Sequence, residues 1–280
     1  ALARGKEPFP PHIARALVER VTFGATPEEL TLAVSLGHES YVEHHLDHLA
    51  LDDSLVDGLL APLDNLDKTF AEMEQAGVPG SGVLIELEQQ HREATLVRAV
   101  RSKRQLYERM VQFVGDHLNV FGRDGALRAH KIIDDREVVR KHAFGQFGDL
   151  LLASSQGSAM LIYLDNHLNT VFGPQENYAR ELLELHTLGI DGGYTETDVK
   201  EAARCLTGWT YWKPGTGGEH GQFRFNLFNH DYGAKTVLGV DFPAGQGIED
   251  GLQLQELLVA HPNTARFVAL KMCRFFLVHD

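Results

Sequence analysis

The stretch of sequence that decides the fold runs from Glu176 to Leu188 and reads ENYARELLELHTL. On an α-helix, with about 100° per residue, its apolar side chains share one face. They are Tyr178, Ala179, Leu182, Leu183 and Leu185. His186 projects from the middle of that face, and most of the charged side chains lie on the other. The pattern predicts a helix that buries one side, with His186 inside the protein.

A second amphipathic segment, residues 105–120, predicts the partner for this helix. Its apolar face holds His117 among Leu106, Met110, Phe113 and Val114. Apolar faces of this width are not left in water, so we expect the two helices to pack against each other. The side chains of His117 and His186 would then both be buried. We expect at least one ring nitrogen of His186 to have a partner, because a buried unpaired polar atom costs about 1–3 kcal/mol.

The rest of the chain predicts a mainly α protein, built as a single large helical domain with a possible N-terminal subdomain at residues 1–75. Further helices are expected at Pro11–Arg20, from Thr26, at Leu84–Val120 with an interruption near Arg92, from Arg136, and at Ser158–Asn166, Thr195–Trp209, Ile248–Ala260 and Asn263–Val278. Residues 210–247 are rich in glycine and contain the alternating run Phe223–Phe228, which predicts a short β-hairpin-containing insertion with one or two strands. Residues 76–82 predict a loop, and residues 123–135 a charged turn. We expect the natural chain to continue past residue 280.

Composition excludes several classes of function. Of the 280 residues, 43% are hydrophobic and 23% are charged, which is enough apolar material for a substantial core. The net charge is −13, and so acidic a protein lacks the clustered cations that bind nucleic-acid phosphates. No apolar run approaches the roughly 18 residues of a membrane-spanning helix. Cys205 and Cys273 fit neither a zinc pattern nor a disulfide framework, and the sequence leaves open whether they pair.

Histidine is frequent, with 15 residues, and supplies several candidates for a metal centre. We expect a divalent or transition metal as the cofactor, because imidazole and carboxylate groups are common metal ligands. The candidate ligands are His117, His186, Glu181, Glu184 and Asp165. The sequence has no close-spaced ligand motif such as H-E-x-x-H. The alternative is that both histidines are core residues bonded to backbone carbonyls, and that the glutamates form a solvated ladder with Arg180.

The same part of the chain supplies candidates for catalysis and for substrate binding. The candidate catalytic residues are His117, His142, Arg180, Glu181 and Glu184, and the candidate substrate-binding residues are Asn177, Arg180, His230 and Asp231. In these roles a histidine would shuttle protons, a glutamate would act as base, and Arg180 would hold an anionic group. His142 is expected to lie on one helix face with Gln146 and Asp149, a stripe that equally fits a solvated helix.

Several blocks of sequence together resemble a known family. They are Arg104–Met110, Asp116–Val120, Arg140–Gly145, Leu164–Asn166, Glu176–Gly189, Asp191–Thr195, Leu206–Trp209 and His230–Lys235. In this order they resemble the DUF 1800 family, bacterial proteins of unknown function, over nearly the whole chain. The sequence departs from the family's usual pattern at Asp116 and at Gln175, where asparagine is common. The resemblance implies an export signal that has been removed, hence a periplasmic or secreted location, and it implies no activity.

A shorter similarity concerns animal haem peroxidases. The segment Gln112–His117 is similar to their distal-histidine segment, and His186–Leu188 follows in the same order with different spacing.

Three functions therefore stay open, and whether the chain is an enzyme is itself open. The first is a metal-dependent enzyme, with redox chemistry ahead of hydrolysis, acting on a small molecule. The second is a non-enzymatic binding or assembly module of the cell envelope, and the third is a haem-peroxidase-like protein. Burial separates the first two. Polar groups that satisfy one another away from solvent favour the module, whereas unpaired groups that converge in a cleft favour the enzyme.

Overall fold

The computed structural model describes residues 10–76, 83–122, 125 and 127–277. Within these residues the protein is mainly helical, as the sequence predicts. The α-helices are α1 (Pro11–Val21), α2 (Pro27–Leu36), α3 (His38–Leu46), α4 (Ser54–Leu60), α5 (Phe70–Ala76), α6 (Val83–Arg101), α7 (Gln105–His117), α8 (Leu127–Asp134), α9 (Phe147–Gln156), α10 (Ser158–Tyr163), α11 (Asn177–Glu181), α12 (Glu196–Cys205), α13 (Ile248–Ala260) and α14 (Pro262–Leu277). Residues 77–82 of the predicted loop and the predicted end of the last helix at Val278 lie outside the described residues.

The segment between α12 and α13 forms two small antiparallel sheets. Strand β1 (Trp209–Tyr211) pairs with β2 (Phe223–Phe225), and β3 (Lys235–Val237) pairs with β4 (Val240–Phe242). The predicted β-containing insertion is therefore present, although these described residues hold more strands than the one or two expected. Trp209 opens β1 instead of ending α12. The chain turns at Gly208, whose φ of +80° favours glycine and where a Cβ atom would lie 2.6 Å from the backbone oxygen of Asn226.

The main hydrophobic core lies among α7, α9 to α13 and the strands. Its largest fully buried side chains include Trp209, Tyr178, Phe242, Met160, Leu182 and Leu183. A second cluster joins α1, α2 and α3 to Leu106 of α7, with Phe144 and Phe276 packed against it. The N-terminal helices thus rest on the main body through α7, and a separate N-terminal subdomain stays a prediction.

The long helix predicted for residues 84–120 is interrupted, but not near Arg92. Helix α6 continues through that residue, and the break falls at residues 102–104. The cause is a distant side chain: the Asp53 carboxylate accepts hydrogen bonds from Ser102 Oγ at 2.7 Å and from the Lys103 backbone N–H at 2.8 Å. Sequence periodicity does not reveal such a contact, because it joins residues about fifty positions apart.

Two other predicted boundaries are wrong. Most of the predicted charged turn at 123–135 is helix α8, because Leu127 and Ile132 give this charged segment a buried face. The helix predicted for residues 158–166 ends at Tyr163, since Asp165 adopts a left-handed conformation with φ 61°. In contrast, the N-terminus of α12 is as expected, where Thr195 and Asp198 form a capping box.

Two helices continue as π-helical turns, α8 into Asp135–Arg140 and α11 into Leu182–Leu188. In the second, Thr187 Oγ1 donates to the Leu182 backbone oxygen, five residues earlier, at 2.6 Å. A π-turn holds more residues than an α-turn, so the 100° rule no longer applies. Leu185 is therefore 49% exposed, although the helical pattern predicts it on the buried face.

Two further expectations concern the membrane and the cysteines. Across the described ranges, no helix combines the length and the apolar character that a membrane span requires. Cys205 is buried and Cys273 is exposed, and both are free thiols.

Candidate functional site

The two histidines predicted to be buried are each 4% exposed, and the helices that carry them belong to one hydrophobic core. Their rings do not bond to each other. His117 Nε2 donates to the backbone oxygen of His186 at 3.0 Å, and Lys271 Nζ donates to His117 Nδ1 at 2.8 Å. Backbone oxygens at the end of a helix lack helical partners, so His117 closes the end of the π-turn. Both ring nitrogens of His117 are thereby engaged.

The ring of His186 has a different environment. Within the described residues it makes no hydrogen bond, contrary to the expected partner, and its closest ring neighbour is Tyr178, at 6.2 Å between centroids. Burial lowers the pKa of His186 to about 3, and nearby His117 and Lys271 add to the shift. Burial also lowers the pKa of His117 to about 4. Both imidazoles are therefore neutral at physiological pH.

The candidate carboxylates do not join these histidines. Arg180 donates to Glu196 at 2.6 and 2.8 Å and to Glu176 at 3.3 Å, in the manner of a solvated ladder. Glu184 accepts a 3.4 Å bond from the Tyr194 hydroxyl, and Asn177 is exposed. Burial raises the pKa of Glu181, and Glu184 adds to the shift.

No hydrogen bond or ion pair described by the structure links Glu181, Glu184 or Asp165 to His117 or His186. Among the described residues, no three His, Cys, Asp or Glu side chains are grouped so that they could hold a metal ion. These contacts give no support to the predicted set of metal ligands, which stays a prediction.

Two candidate substrate-binding residues, His230 and Asp231, belong to a buried polar cluster beside β3. We call His230, Lys235 and Asp250 the closed network, because their side chains are 0% exposed. Asp250 Oδ2 lies 3.0 Å from His230 Nε2 and accepts from Lys235 Nζ at 2.6 Å, and Gln246 donates to Asp250 Oδ1 at 2.9 Å.

The remaining groups around the closed network are also paired. His230 Nδ1 lies 2.8 Å from the Thr207 backbone oxygen, so both ring nitrogens have a polar partner. Asp231 accepts from Arg204 at 2.7 and 3.2 Å, and this arginine lowers the pKa of the carboxyl to about 2. No group of the closed network is left open to a ligand.

A second charged cluster lies where α6, α7 and the first π-turn meet, and sequence reasoning missed it. We call it the charged cleft, formed by His91, Glu108, Asp135 and Arg140 around a cavity of about 300 Å³. Arg140 donates to both Glu108 oxygens at 3.0 and 2.9 Å and to Asp135 Oδ2 at 2.9 Å. His91 Nε2 lies 3.7 Å from Asp135 Oδ1, too far for a hydrogen bond.

The electrostatics of the charged cleft favour the ionised form of Asp135. Burial opposes ionisation of Asp135, but His91 and Arg140 hold its pKa well below the usual range. The sequence contained one indication of the charged cleft, because Glu108 and Arg140 fall within blocks that carry the family resemblance. Periodicity could not find it, because the π-turn changes which side chains of residues 135–140 point inward.

His142, one of the candidate catalytic residues, lines a cavity. We call this space of about 250 Å³ the polar cavity, and its lining includes His130, Glu137, Lys141, His142, Gln156 and Ser158. The predicted stripe with Gln146 and Asp149 is wrong, because the chain turns at Gly145 and α9 starts only at Phe147.

The polar cavity contains a serine–histidine pair that sequence reasoning missed. Ser158 Oγ lies 2.7 Å from His130 Nδ1, and both residues are buried. Burial lowers the pKa of His130 to about 3, with His220 and His167 adding to the shift. No G-x-S-x-G motif surrounds Ser158, so the sequence carried no signal for it.

The structure thus distributes the predicted site residues over several places instead of one. Comparison with known proteins adds a single match. No curated protein and no solved structure shows significant similarity to the chain. Residues 16–280 match the family described as "Protein of unknown function (DUF1800)", in agreement with the resemblance of the sequence blocks. The chain therefore belongs to the DUF1800 family of proteins of unknown function.

Proposed function

We propose that this protein is a hydrolase that uses Ser158 as nucleophile and His130 as general base. The observation that carries the proposal is the 2.7 Å separation of Ser158 Oγ and His130 Nδ1 at the wall of the polar cavity. A nucleophile and its base within hydrogen-bond reach are the structural signature of covalent catalysis. Lys141 and His142 line the same cavity, and their side chains make no hydrogen bond within the described residues. Unpaired groups that converge in a cavity favour an enzyme.

The chemistry that this pair supports is acyl transfer. Ser158 Oγ attacks the carbonyl carbon of an ester while its proton passes to His130 Nδ1. The same proton then leaves with the alcohol, and water hydrolyses the acyl-serine to a free acid. Lys141 and His142 are positioned at the cavity to donate hydrogen bonds to the negative charge that develops on the carbonyl oxygen.

The environment of His130 sets how fast such an enzyme can work. The ring packs against Phe70, at 4.5 Å between centroids, and against Tyr211, at 5.5 Å. Its low pKa keeps the ring neutral over the physiological range but also makes it a weak base. However, no carboxylate bonds to it within the described part of the chain, so the imidazolium is stabilised chiefly by the charge of the reacting substrate. We expect slow turnover and a small acyl group, since the cavity holds about 250 Å³.

The test is covalent labelling with a small fluorophosphonate, which reacts with activated serines, followed by peptide mass spectrometry. We expect the label on Ser158, none in Ser158→Ala, and a rate reduced by about 10² or more in His130→Gln. Ser154→Ala is the matched control, because Ser154 is also buried but lies on α9 and does not bond to His130. Unlabelled wild-type protein, or label retained in a folded Ser158→Ala variant, would overturn the proposal.

Metal-dependent chemistry, with redox ahead of hydrolysis, stays a prediction from the sequence. The geometry gives it less support than the serine mechanism, because the described residues contain no grouped set of ligands and both ring nitrogens of His117 are engaged. The same engagement gives a haem-peroxidase-like role for His117 no support. Elemental analysis of protein purified without a metal-affinity tag is the test, and a stoichiometric metal would favour the metal-dependent enzyme.

The second candidate function is a non-enzymatic binding or assembly module of the cell envelope. It is favoured by the polar cluster beside β3, in which two candidate substrate-binding residues, His230 and Asp231, are paired. The periplasmic or secreted location in this proposal rests on the family resemblance. Fractionation of the native bacterium tests the location. Protein that is inert to the fluorophosphonate and co-migrates with a larger envelope complex would favour the module.

A further inference from the structure

The charged cleft contains an unfilled hydrogen-bonding position. His91 Nε2 is buried and has no hydrogen-bond partner within the described residues. Across a gap of 3.7 Å it faces Asp135 Oδ1, an acceptor whose neighbouring oxygen Oδ2 is already bonded to Arg140. A buried polar atom without a partner is costly, so a molecule that bonds to both atoms would be stabilised here.

The chemistry of the gap selects the group that fits it. The imidazole ring can present an N–H at Nε2, and the carboxylate presents only lone pairs. A hydroxyl accepts from the first and donates to the second with one oxygen atom. An ammonium group only donates, and an ionised carboxylate only accepts, so neither satisfies both sides.

The charges around the cavity also favour a neutral ligand. The acidic lining residues Glu108, Asp116 and Asp135 stand opposite Arg140 and Lys131, and these cations are already paired. An anionic ligand would have to compete with the carboxylates that already pair with these cations, at the cost of leaving one of those carboxylates unpaired. A neutral ligand leaves the ion pairs intact. It can bond to the lone pairs and N–H groups that these side chains do not use in the ion pairs.

The remaining lining suits a compact polyol. Thr95, Gln112 and Asn119 add neutral donors and acceptors, and Phe23 adds an aromatic ring at the edge. The cavity of about 300 Å³ adjoins a second one of about 240 Å³, because His91 and Lys131 line both. These sizes lie at the lower end of small-molecule pockets.

We propose that the charged cleft binds a neutral, hydroxyl-rich ligand of the sugar class, with one ligand hydroxyl bridging His91 Nε2 and Asp135 Oδ1. The site is separate from the polar cavity and does not depend on Ser158. The test of sugar binding is therefore independent of the test of the serine mechanism.

The test is binding to the whole chain, measured by saturation-transfer NMR and calorimetry. The probes are neutral hexoses, N-acetylhexosamines and glycerol, with inorganic phosphate and putrescine as the anionic and cationic comparators. We expect at least one neutral sugar to bind. His91→Phe, which keeps an aromatic ring and removes both nitrogens, should weaken the binding of that sugar at least tenfold. Glu93→Gln is the matched control, because Glu93 is exposed on the same helix and does not line the cavity.

Each other outcome overturns the proposal. If none of the neutral probes binds, the cleft does not have this function. Stronger binding of phosphate or putrescine would assign the cleft to an ion. Should His91→Phe fail to fold, Asn119→Ala at the exposed rim replaces it, and sugar binding that survives this change as well would place the ligand elsewhere.

Discussion

The closed network and the charged cleft are built from the same kinds of side chain and differ in what surrounds them. In the closed network, Asp250 is fully buried, and Lys235, His230 and Gln246 satisfy it. In the charged cleft, Arg140 joins Glu108 to Asp135 beside a cavity, and a nitrogen of His91 has no partner. The comparison teaches that buried charge alone does not mark a functional site. An unpaired group at a cavity wall is the more informative sign.

The energetic reason is the cost of taking charges out of water. A buried ion pair with every hydrogen bond made roughly balances that cost, and it becomes a liability when one partner is lost. The closed network is therefore expected to hold β3 to α13 in one arrangement. The charged cleft keeps some access to water, so its groups can exchange a water molecule for a ligand.

The largest expected effect comes from Asp250→Asn, which leaves Lys235 and His230 buried without their carboxylate. We expect the free energy of unfolding to fall by about 3–5 kcal/mol, the usual loss when one partner of a buried pair is removed. Urea denaturation measures it. Asp241→Asn, at an exposed position of β4, is the control, with an expected change within about 0.5 kcal/mol. A loss below about 1 kcal/mol for Asp250→Asn would mean that the network is hydrated.

Glu108→Gln should cost less, because Arg140 keeps its bond to Asp135 Oδ2 and the cleft admits water. We expect a loss of about 1.5–3 kcal/mol, typical of hydrogen bonds to a charged group. The same urea experiment on both variants sharpens the comparison directly. Equal losses for Glu108→Gln and Asp250→Asn would remove the distinction between the two regions.

His186 offers a third environment, a buried ring with no carboxylate beside it. The folded protein keeps this ring neutral because burial lowers its pKa to about 3, whereas the unfolded chain takes up a proton below about pH 6.5. The unfolded state then binds more protons, so stability decreases as pH falls from 7 towards 3. The share lost by pH 5 is about 2 kcal/mol.

His186→Gln tests this directly. Between pH 7 and pH 5 the variant should lose about 2 kcal/mol less than wild type in urea denaturation. Parallel pH profiles for the two proteins would show that the wild-type ring gains a proton acceptor or water that stabilises its charged form.

The smallest loss of stability is expected from removing the N-terminal cap of α12. The Thr195 hydroxyl caps α12 by accepting from the Asp198 backbone N–H at 3.3 Å. Thr195→Ala should cost about 1 kcal/mol. Thr197→Ala, an exposed threonine two residues on that makes no capping bond, is the control and should change the melting temperature little. Similar shifts for both variants would mean that the cap contributes no stability.

Sequence reasoning succeeded where local pattern and burial act together. The apolar faces around His117 and His186 predicted that both side chains are buried, and this is confirmed. Their helices share one hydrophobic core, and the hydrogen bond from His117 to the His186 backbone oxygen joins them. Sequence reasoning failed where a distant group intervenes. Asp53 sets the break between α6 and α7, and no nearby residue signals it.

The candidate site shows the same limit. His142 was singled out for a helix stripe that the turn at Gly145 breaks, yet its side chain reaches a cavity that the stripe did not predict. Its neighbours Ser158 and His130 are 28 residues apart in sequence and on different helices. Neither has a motif, because the geometry of such a pair depends on how α8 and α10 pack.

The sequence by itself determined the family, the helical class, the glycine-rich strand-bearing insertion and which helix faces turn inward. The family follows from the resemblance of the sequence blocks. The other features follow from periodicity, composition and turn residues, which act over a few positions along the chain. Only the tertiary structure decided which polar groups are paired and which line a cavity. The physical reason is that a hydrogen bond requires two groups at a defined distance and angle. In this protein the deciding pairs, such as His117 with Lys271, join residues that the chain separates widely.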